Sequence, residues 1–492
     1  MKKRNIELLA PASLPAKAIK RISARISKKD NIKKSRKSIE LLAPAGSLEK
    51  MKYALHYGAD AVYAGLPDFS LRARINNFDF ESLKEGVDLA HNLGKKFYVT
   101  LNIYAHNIHL KKLEDHLKKL KNIKIDGIIL SDPGVLLLVK KYLPQAEIHL
   151  STQANATNWQ AVKFWASQGV KRVVLAREVT LKEIEEIKKN VPEMELEYFV
   201  HGAMCMSYSG RCILSKWMSG KSANLGDCSQ PCRWSYDHKY QIPNIKYQIN
   251  SKFQIPNKKN NGSETLLASV TDNRGEFEVE LEEDGQGTYF FNSKDLNLLN
   301  YLKDLIEAGV DSFKIEGRNK SPYYLATVVR AYRNVLDAIL TKDKNYRKIL
   351  KEEKGNLDDL VHRGYTTGFL LGTEPEHNFA NAHNQSQFQF VGEILGIKNE
   401  KLIIKNEKQR DKKEILKDEK LRFFEVRVHN AIYDIDRLEI VGKGGNCKVK
   451  ILKMLDDQMN EVTSAHGGHG KNYYFVFDKE GIKEMALLRK KI

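Results

Sequence analysis

Between residues 39 and 345 short apolar runs of strand length alternate with amphipathic helical segments, and this alternation constrains the fold more than any other feature. The runs are IELLAPA (39–45), AVYAGL (61–66), KFYVTLN (96–102), GIILS (127–131), EIHLSTQ (147–153), RVVLARE (172–178), LEYFVHG (196–202) and SFKIEGR (312–318). Between them FESLKEGVDLAHNLG, LKKLEDHLKKL, DPGVLLLVKKYL, WQAVKFWASQG and LKEIEEIKKNV carry helical periodicity, and YYLATVVRAYRNVLDAIL follows the eighth run. Eight strands with intervening helices predict an α/β, TIM-like (β/α)8 barrel rather than an open doubly wound sheet.

The long gap between the seventh and eighth strands predicts an insertion. It begins with a cysteine cluster (203–236) and continues through a low-complexity tract (237–270) in which KYQIPN, KYQINS and KFQIPN recur. Such tracts are tolerated surface insertions, and no function is expected of this one. Residues 346–384 read as a connecting segment. From 385 to 492 the strand-like FQFVGEILGI, KLIIKN, DRLEIVG, CKVKILKML and NYYFVF predict a small C-terminal β-barrel.

IELLAPA occurs twice, at 6–12 and 39–45, and only the second copy continues into a strand and helix. The barrel is therefore expected to begin at residue 39, with 1–38 a basic extension. That extension carries 13 Lys or Arg against two acids, so most of the chain's net charge of +19 lies there. The remainder is only mildly basic, which is compatible with nucleic acid without requiring it. No apolar run approaches the roughly 20 residues that would span a bilayer, and the N-terminus has no apolar signal core. A cytoplasmic protein with no membrane partner is the expectation; the sequence does not address its oligomeric state.

Catalytic groups in such a barrel come from the C-terminal ends of the strands. Here those ends carry Asn102, Ser131, Asp132, Ser151, Thr152, Gln153, Asn155, Arg177, Glu178, His201, Glu316 and Arg318. Helix capping alone would account for Asp132 and Ser151. His201, four residues before Cys205, could act as acid or base or hydrogen-bond to a sulfur, or could be a satisfied structural histidine.

Four of five cysteines, Cys205, Cys212, Cys228 and Cys232, fall within 28 positions. A reducing compartment disfavours disulfides. Their spacing lacks the paired short knuckles of zinc ribbons, whereas iron–sulfur clusters accept more varied spacing beside turn residues such as Gly210, Gly226, Ser229 and Pro231. Spacing alone leaves iron–sulfur, zinc and thiol chemistry open. Cys447 reads as an ordinary buried strand residue. No GxSxG elbow or HExxH helix is present, MSGKS lacks the setting of a P-loop, and HGGHG (466–470) reads as a glycine-rich hairpin loop.

YFVHGAMCMSYSGRCILSKWMSG, GDCSQPCRW, NSKDL, KIEGRNKSPYYLATVVRAYRNVLD and HRGYTTGFLLG together resemble the collagenase-like peptidase family of unknown catalytic type. Within it they are most similar to the branch of prephenate-dependent tRNA hydroxylases that make 5-hydroxyuridine at the wobble position; sibling branches hydroxylate ribosomal RNA or a quinone precursor, or are described as proteases. The resemblance implies a 4Fe-4S cluster on Cys205, Cys212, Cys228 and Cys232, tRNA as substrate and prephenate as oxygen source. Of the residues at the strand ends, His201, Glu316 and Arg318 are expected to be catalytic. Substrate contacts are expected from Asn102, Gln153, Asn155, Arg177, Arg72 and Arg74, with Arg211 and Arg233 as further phosphate contacts. The competing expectations are a peptidase, a hydroxylase of another RNA, and a noncatalytic RNA-binding module with structural zinc.

Overall fold

The computed structural model describes residues 39–66, 69–70, 78–205, 207–225, 227–233, 236–240, 268–272, 278–281, 293–376, 386–399 and 422–492. The basic extension with the first IELLAPA, Arg72, Arg74, Gly226, most of the KYQIPN tract and the KLIIKN segment lie outside the described residues.

Eight strands form the first body: β1 (Glu40–Pro44), β2 (Ala61–Gly65), β3 (Lys96–Leu101), β4 (Gly127–Leu130), β5 (Glu147–Leu150), β6 (Arg172–Val174), β7 (Glu195–Ala203) and β8 (Ser312–Ile315). Each pairs in parallel with the next, and β8 closes the ring by pairing with both β7 and β1. The expected (β/α)8 barrel is what the chain forms. Helices α1 (Leu48–Tyr57), α2 (Phe80–Asn92), α3 (Asn107–Leu120), α4 (Pro133–Tyr142), α5 (Trp159–Ser167) and α6 (Leu181–Asn190) alternate with the strands.

Local sequence sets these boundaries. Ser47, Asp79, Asn158 and Thr180 cap helix N-termini with side-chain oxygens. Asp132 caps α4 ahead of Pro133, accepting from Val135 N at 3.0 Å, so capping accounts for it. Three strands stop three or four residues before their apolar runs end. After Val174, Leu150 and Ile315 the chain leaves the ladder, and residues 175–178, 151–153 and 316–318 become the rim.

The insertion after β7 carries α7 (Leu214–Ser219) and a three-stranded antiparallel sheet of Tyr236–Tyr240, Ala268–Asp272 and Glu278–Leu281. The chain returns through Asp295–Asn297, antiparallel to the end of β7, then α8 (Leu302–Glu307) and β8. Two helices follow, α9 (Pro322–Thr341) and α10 (Tyr346–Asp358). The connecting segment is thus partly helical: Glu353 of α10 is buried, and its Oε1 and Oε2 accept from Asn334 and Arg330 of α9.

The second body is a closed antiparallel barrel of β9 (Phe388–Asn399), β10 (Arg422–Val428), β11 (Arg437–Gly442), β12 (Gly445–Leu455), β13 (Asn472–Phe477) and β14 (Leu487–Lys491). Strands β10 and β14 were not expected: RFFEVRV is interrupted by charges, and LLRKK is short and ends in cations. The barrels share a core. Val441, Met485 and Leu487 join the main apolar cluster, Tyr57 donates to Val441 O and Met485 O, and the fully buried Arg330 donates to Gly442 O and Asn446 Oδ1. Among the described residues no helix is long and apolar enough to cross a membrane.

Candidate active site at the barrel mouth

The interior of the first barrel is charged at its floor. Arg172 of β6 reaches Glu40 of β1 and, at 3.1 Å, Glu197 of β7; Lys314 of β8 meets the other oxygen of Glu197 at 2.6 Å. Tyr98 donates to Glu40 at 2.8 Å. Burial acts to raise the Glu197 pKa, but Lys314 and Arg172 outweigh it and hold the carboxylate at about 2. Lys314 also lies over the Tyr63 ring at 4.5 Å, and Tyr63 donates to Ile315 O at 2.9 Å.

Above this floor the strand ends and the cysteine-bearing loops enclose a cavity of about 180 Å³. Tyr63, Phe199 and Lys314 form its lower wall; Asn102, Gln153, Arg177, Glu178, Glu316 and Arg318 line the sides; Cys205, Cys212, Cys228 and Cys232 all reach it from the insertion. The fold therefore collects residues that are up to 255 positions apart, Tyr63 and Arg318, around one space. Asn102 Nδ2 donates to Ser151 Oγ at 3.2 Å, and Arg318 approaches Thr100 Oγ1 at 3.4 Å. The Arg177 guanidinium stacks on the Phe199 ring at 4.2 Å.

Two polar atoms on the wall stand out. Arg177 Nε and Glu178 Oε2 are buried with no hydrogen-bond partner among the described residues, while Glu178 Oε1 accepts from Ser209 N at 2.7 Å. Buried polar atoms ordinarily find partners, so an orphaned donor and acceptor on residues that line a cavity are candidates for contact with a polar ligand.

The first cysteine loop is tied to the rim by backbone. Tyr104 OH donates to Gln153 O at 2.8 Å and to Gly210 O at 2.7 Å. Gly210 has φ +74°, and a Cβ there would lie 2.1 Å from Gln153 O, so no other residue permits this approach.

His201 is placed differently. It is buried in the barrel wall behind the cavity, among Tyr324, Tyr332 and Tyr365, with ring centroids 5.4 to 5.9 Å away. Its Nδ1 is 3.3 Å from Tyr332 OH, and it does not line the cavity. Burial, only partly opposed by Asp295, pushes its pKa down to about 3, so the ring is neutral at physiological pH. Asn155 adopts the left-handed conformation at φ 51° that ends the 3₁₀ turn after Ser151 and also does not line the cavity. Arg211 is exposed on the cysteine loop, and the Arg233 side chain is outside the described residues. Lys314, Tyr63 and Tyr208 line the cavity without having been anticipated. The available signal for Lys314 was a lysine inside an otherwise apolar barrel strand, where an unpaired charge is not tolerated.

The donor chemistry of the cysteines suits a metal group. Four thiols line one cavity, Cys205 and Cys228 exposed and Cys212 and Cys232 half-buried, and no described cysteine is in a disulfide. Their number and type match what an iron–sulfur cluster or zinc takes. Among the described residues no three His, Cys, Asp or Glu side chains are gathered into a group that could hold an ion as they stand, so binding would have to draw the thiols together. Cys447 is half-buried on β12, and His466 and His469 are exposed in their loop.

Residues 46–379 match the family described as Peptidase family U32. The tRNA hydroxylation protein P of Haemophilus influenzae is 42% identical, over 89% of this chain and 92% of that protein. The Escherichia coli protein of the same name is 44% identical over 73% of this chain and 80% of that one. A Porphyromonas gingivalis protein named collagenase is 30% identical, over 68% and 73% of the respective chains. The chain belongs to peptidase family U32.

Proposed function

We propose that this protein is a tRNA hydroxylase that forms 5-hydroxyuridine at the wobble position, with a 4Fe-4S cluster on Cys205, Cys212, Cys228 and Cys232 and prephenate as oxygen source. The observation that carries the reading is the convergence of four thiols and the polar strand ends on one cavity at the barrel mouth. The names and high coverage of the Haemophilus and Escherichia relatives support tRNA as the substrate.

In this reading the wobble nucleotide is unstacked and enters the mouth, where Tyr63 and Phe199 offer an apolar wall and Asn102 and Gln153 offer hydrogen bonds to the base edge. Arg177 and Arg318 hold carboxylates of the co-substrate, and Arg177 Nε acquires the partner it otherwise lacks. Glu316, buried on the same wall, is the proton-handling group, and His201 positions the β7 end from behind. A bound cluster would supply one-electron or Lewis-acid chemistry that uridine and protein side chains lack. A cytoplasmic location belongs to the same reading.

A peptidase reading is favoured by the name of the Porphyromonas relative. It requires a nucleophile and a base, and no described histidine lines the cavity to serve a thiol or hydroxyl there. Nucleoside mass spectrometry of tRNA from a deletion strain tests the proposal: the wobble 5-hydroxyuridine-derived nucleosides should disappear, and their persistence removes it. Iron and sulfide analysis of anaerobically purified protein tests the cluster, and a colourless, zinc-loaded protein rejects it.

A further inference from the structure

We infer that the outward face of α7, with Tyr208 beside it, is a stacking platform for unpaired bases flanking the target nucleotide of an RNA loop. The inference rests on the RNA-modifying reading above and assigns the surface by which that substrate is held outside the cavity.

α7 divides its side chains sharply. Leu214 lines the cavity, and Ser215 and Met218 are buried. Ile213 and Trp217, four residues apart and hence on one face, are 74% and 66% exposed. Tyr208 is 63% exposed and is itself part of the cavity wall, and Leu214, which follows Ile213, lines the same cavity. Large apolar side chains gathered at the edge of a concave site mark a binding surface.

Charge selects the occupant. From Cys205 to Leu225 the chain carries Arg211, Lys216 and Lys221 and no Asp or Glu. Among the described residues none of these three cations is held by a carboxylate, although Lys216 Nζ also donates to Gly220 O at 3.1 Å. Exposed aromatic rings interleaved with cations that no described carboxylate neutralises match the bases and phosphates of a single strand. A protein partner would sooner meet a patch depleted in lysine.

The platform is also rigid. Ser215 Oγ donates to Lys221 O at 2.7 Å and accepts from Ser229 N at 3.0 Å, Ser219 Oγ donates to Ser215 O at 2.8 Å, and the Ser219 and Ser229 hydroxyls are 2.6 Å apart. These bonds fix α7 against the segment that carries Cys228 and Cys232, so little ordering is required on binding.

The test is fluorescence anisotropy of a labelled anticodon stem–loop RNA with the full chain. Trp217→Ala should weaken binding by roughly ten- to a hundredfold, Trp217→Phe should restore most of it, and neither should change the salt dependence. Lys221→Ala should instead lower the slope of log affinity against log salt by about one. Circular dichroism should be unchanged throughout, because the ring is exposed. The platform is overturned if Trp217→Ala and the Ile213→Ser/Trp217→Ala double variant bind as tightly as wild type, or if these variants keep RNA affinity while losing a protein partner. If the deletion strain lacks the modified nucleosides while Trp217→Ala binds normally, the platform alone fails. If wild type binds no RNA, both readings fall.

Discussion

The floor and the rim of the first barrel both carry charged groups, but they treat them in opposite ways. At the floor Arg172, Lys314, Glu40 and Glu197 pair with one another within a few ångströms. At the rim Arg177 Nε and Glu178 Oε2 are buried without a partner among the described residues, and the four thiols are not drawn together. Pairing at the floor offsets the desolvation that burial imposes and leaves little for a ligand to gain. The unmatched rim atoms are costly in isolation and become favourable once a ligand supplies their partners. Charge therefore indicates structure at one level of this barrel and a candidate binding site at the next.

The largest effect that separates the two levels is expected at the cysteines. Cys212→Ala should abolish cluster iron and hydroxylation, while urea denaturation of the metal-depleted protein shifts by less than about 1 kcal/mol from wild type. Full activity with iron retained would reject the rim as the metal site. Glu197→Ala should do the reverse, leaving Lys314 and Arg172 buried without their shared partner and costing about 3–5 kcal/mol by the same denaturation measurement. A small loss would mean that water or Glu40 compensates, and the distinction between floor and rim would weaken.

His201 belongs with the structural side and can be tested by pH. The folded protein keeps the ring neutral down to about 3, whereas the unfolded chain binds a proton below about 6.5. Stability is therefore highest above pH 6.5 and falls as pH decreases, by about 2 kcal/mol between pH 7 and 5 from this residue alone. Denaturation of His201→Gln at the two pH values should show a correspondingly shallower slope, and an identical slope would show that the imidazole does not titrate this way. Glu197, held at about 2, contributes loss in the same direction only below about pH 4.5. The smallest effect is expected from Tyr104→Phe, which removes the bridge between Gln153 O and Gly210 O. It should cost about 1 kcal/mol, with faster amide exchange confined to the cysteine loop; faster exchange across the barrel would contradict a local role.

Much of this arrangement was legible in the chain. Period-2 and period-3.6 patterning fixes strands and helices, and their alternation implies a barrel whose C-terminal strand ends face one way. Asn102, Gln153, Arg177, Glu316 and Arg318 were identifiable because they end strand runs, and all five reach the cavity. Asn155 and His201 end or follow strand runs too, yet do not reach it. A left-handed turn redirects Asn155, and the antiparallel Asp295–Asn297 segment pairs with residues 201–203 at the end of β7, where His201 sits among three tyrosines. Neither contact has a local signature. The β14 strand was missed for a similar reason: LLRKK becomes a strand only because β9 and β11 stand ready to pair with it.

By itself the sequence determined the barrel's repeating plan, the place of the insertion after the seventh strand and the clustering of four cysteines, because each follows from local periodicity or spacing. Only the tertiary structure decided which charges neutralise one another at the floor, which remain unmatched at the rim, and that Trp217 faces solvent beside the mouth. Those outcomes depend on distances between residues far apart in the chain, such as Arg172 to Glu40 and Asn102 to Arg318, and burial and pairing are set by those distances.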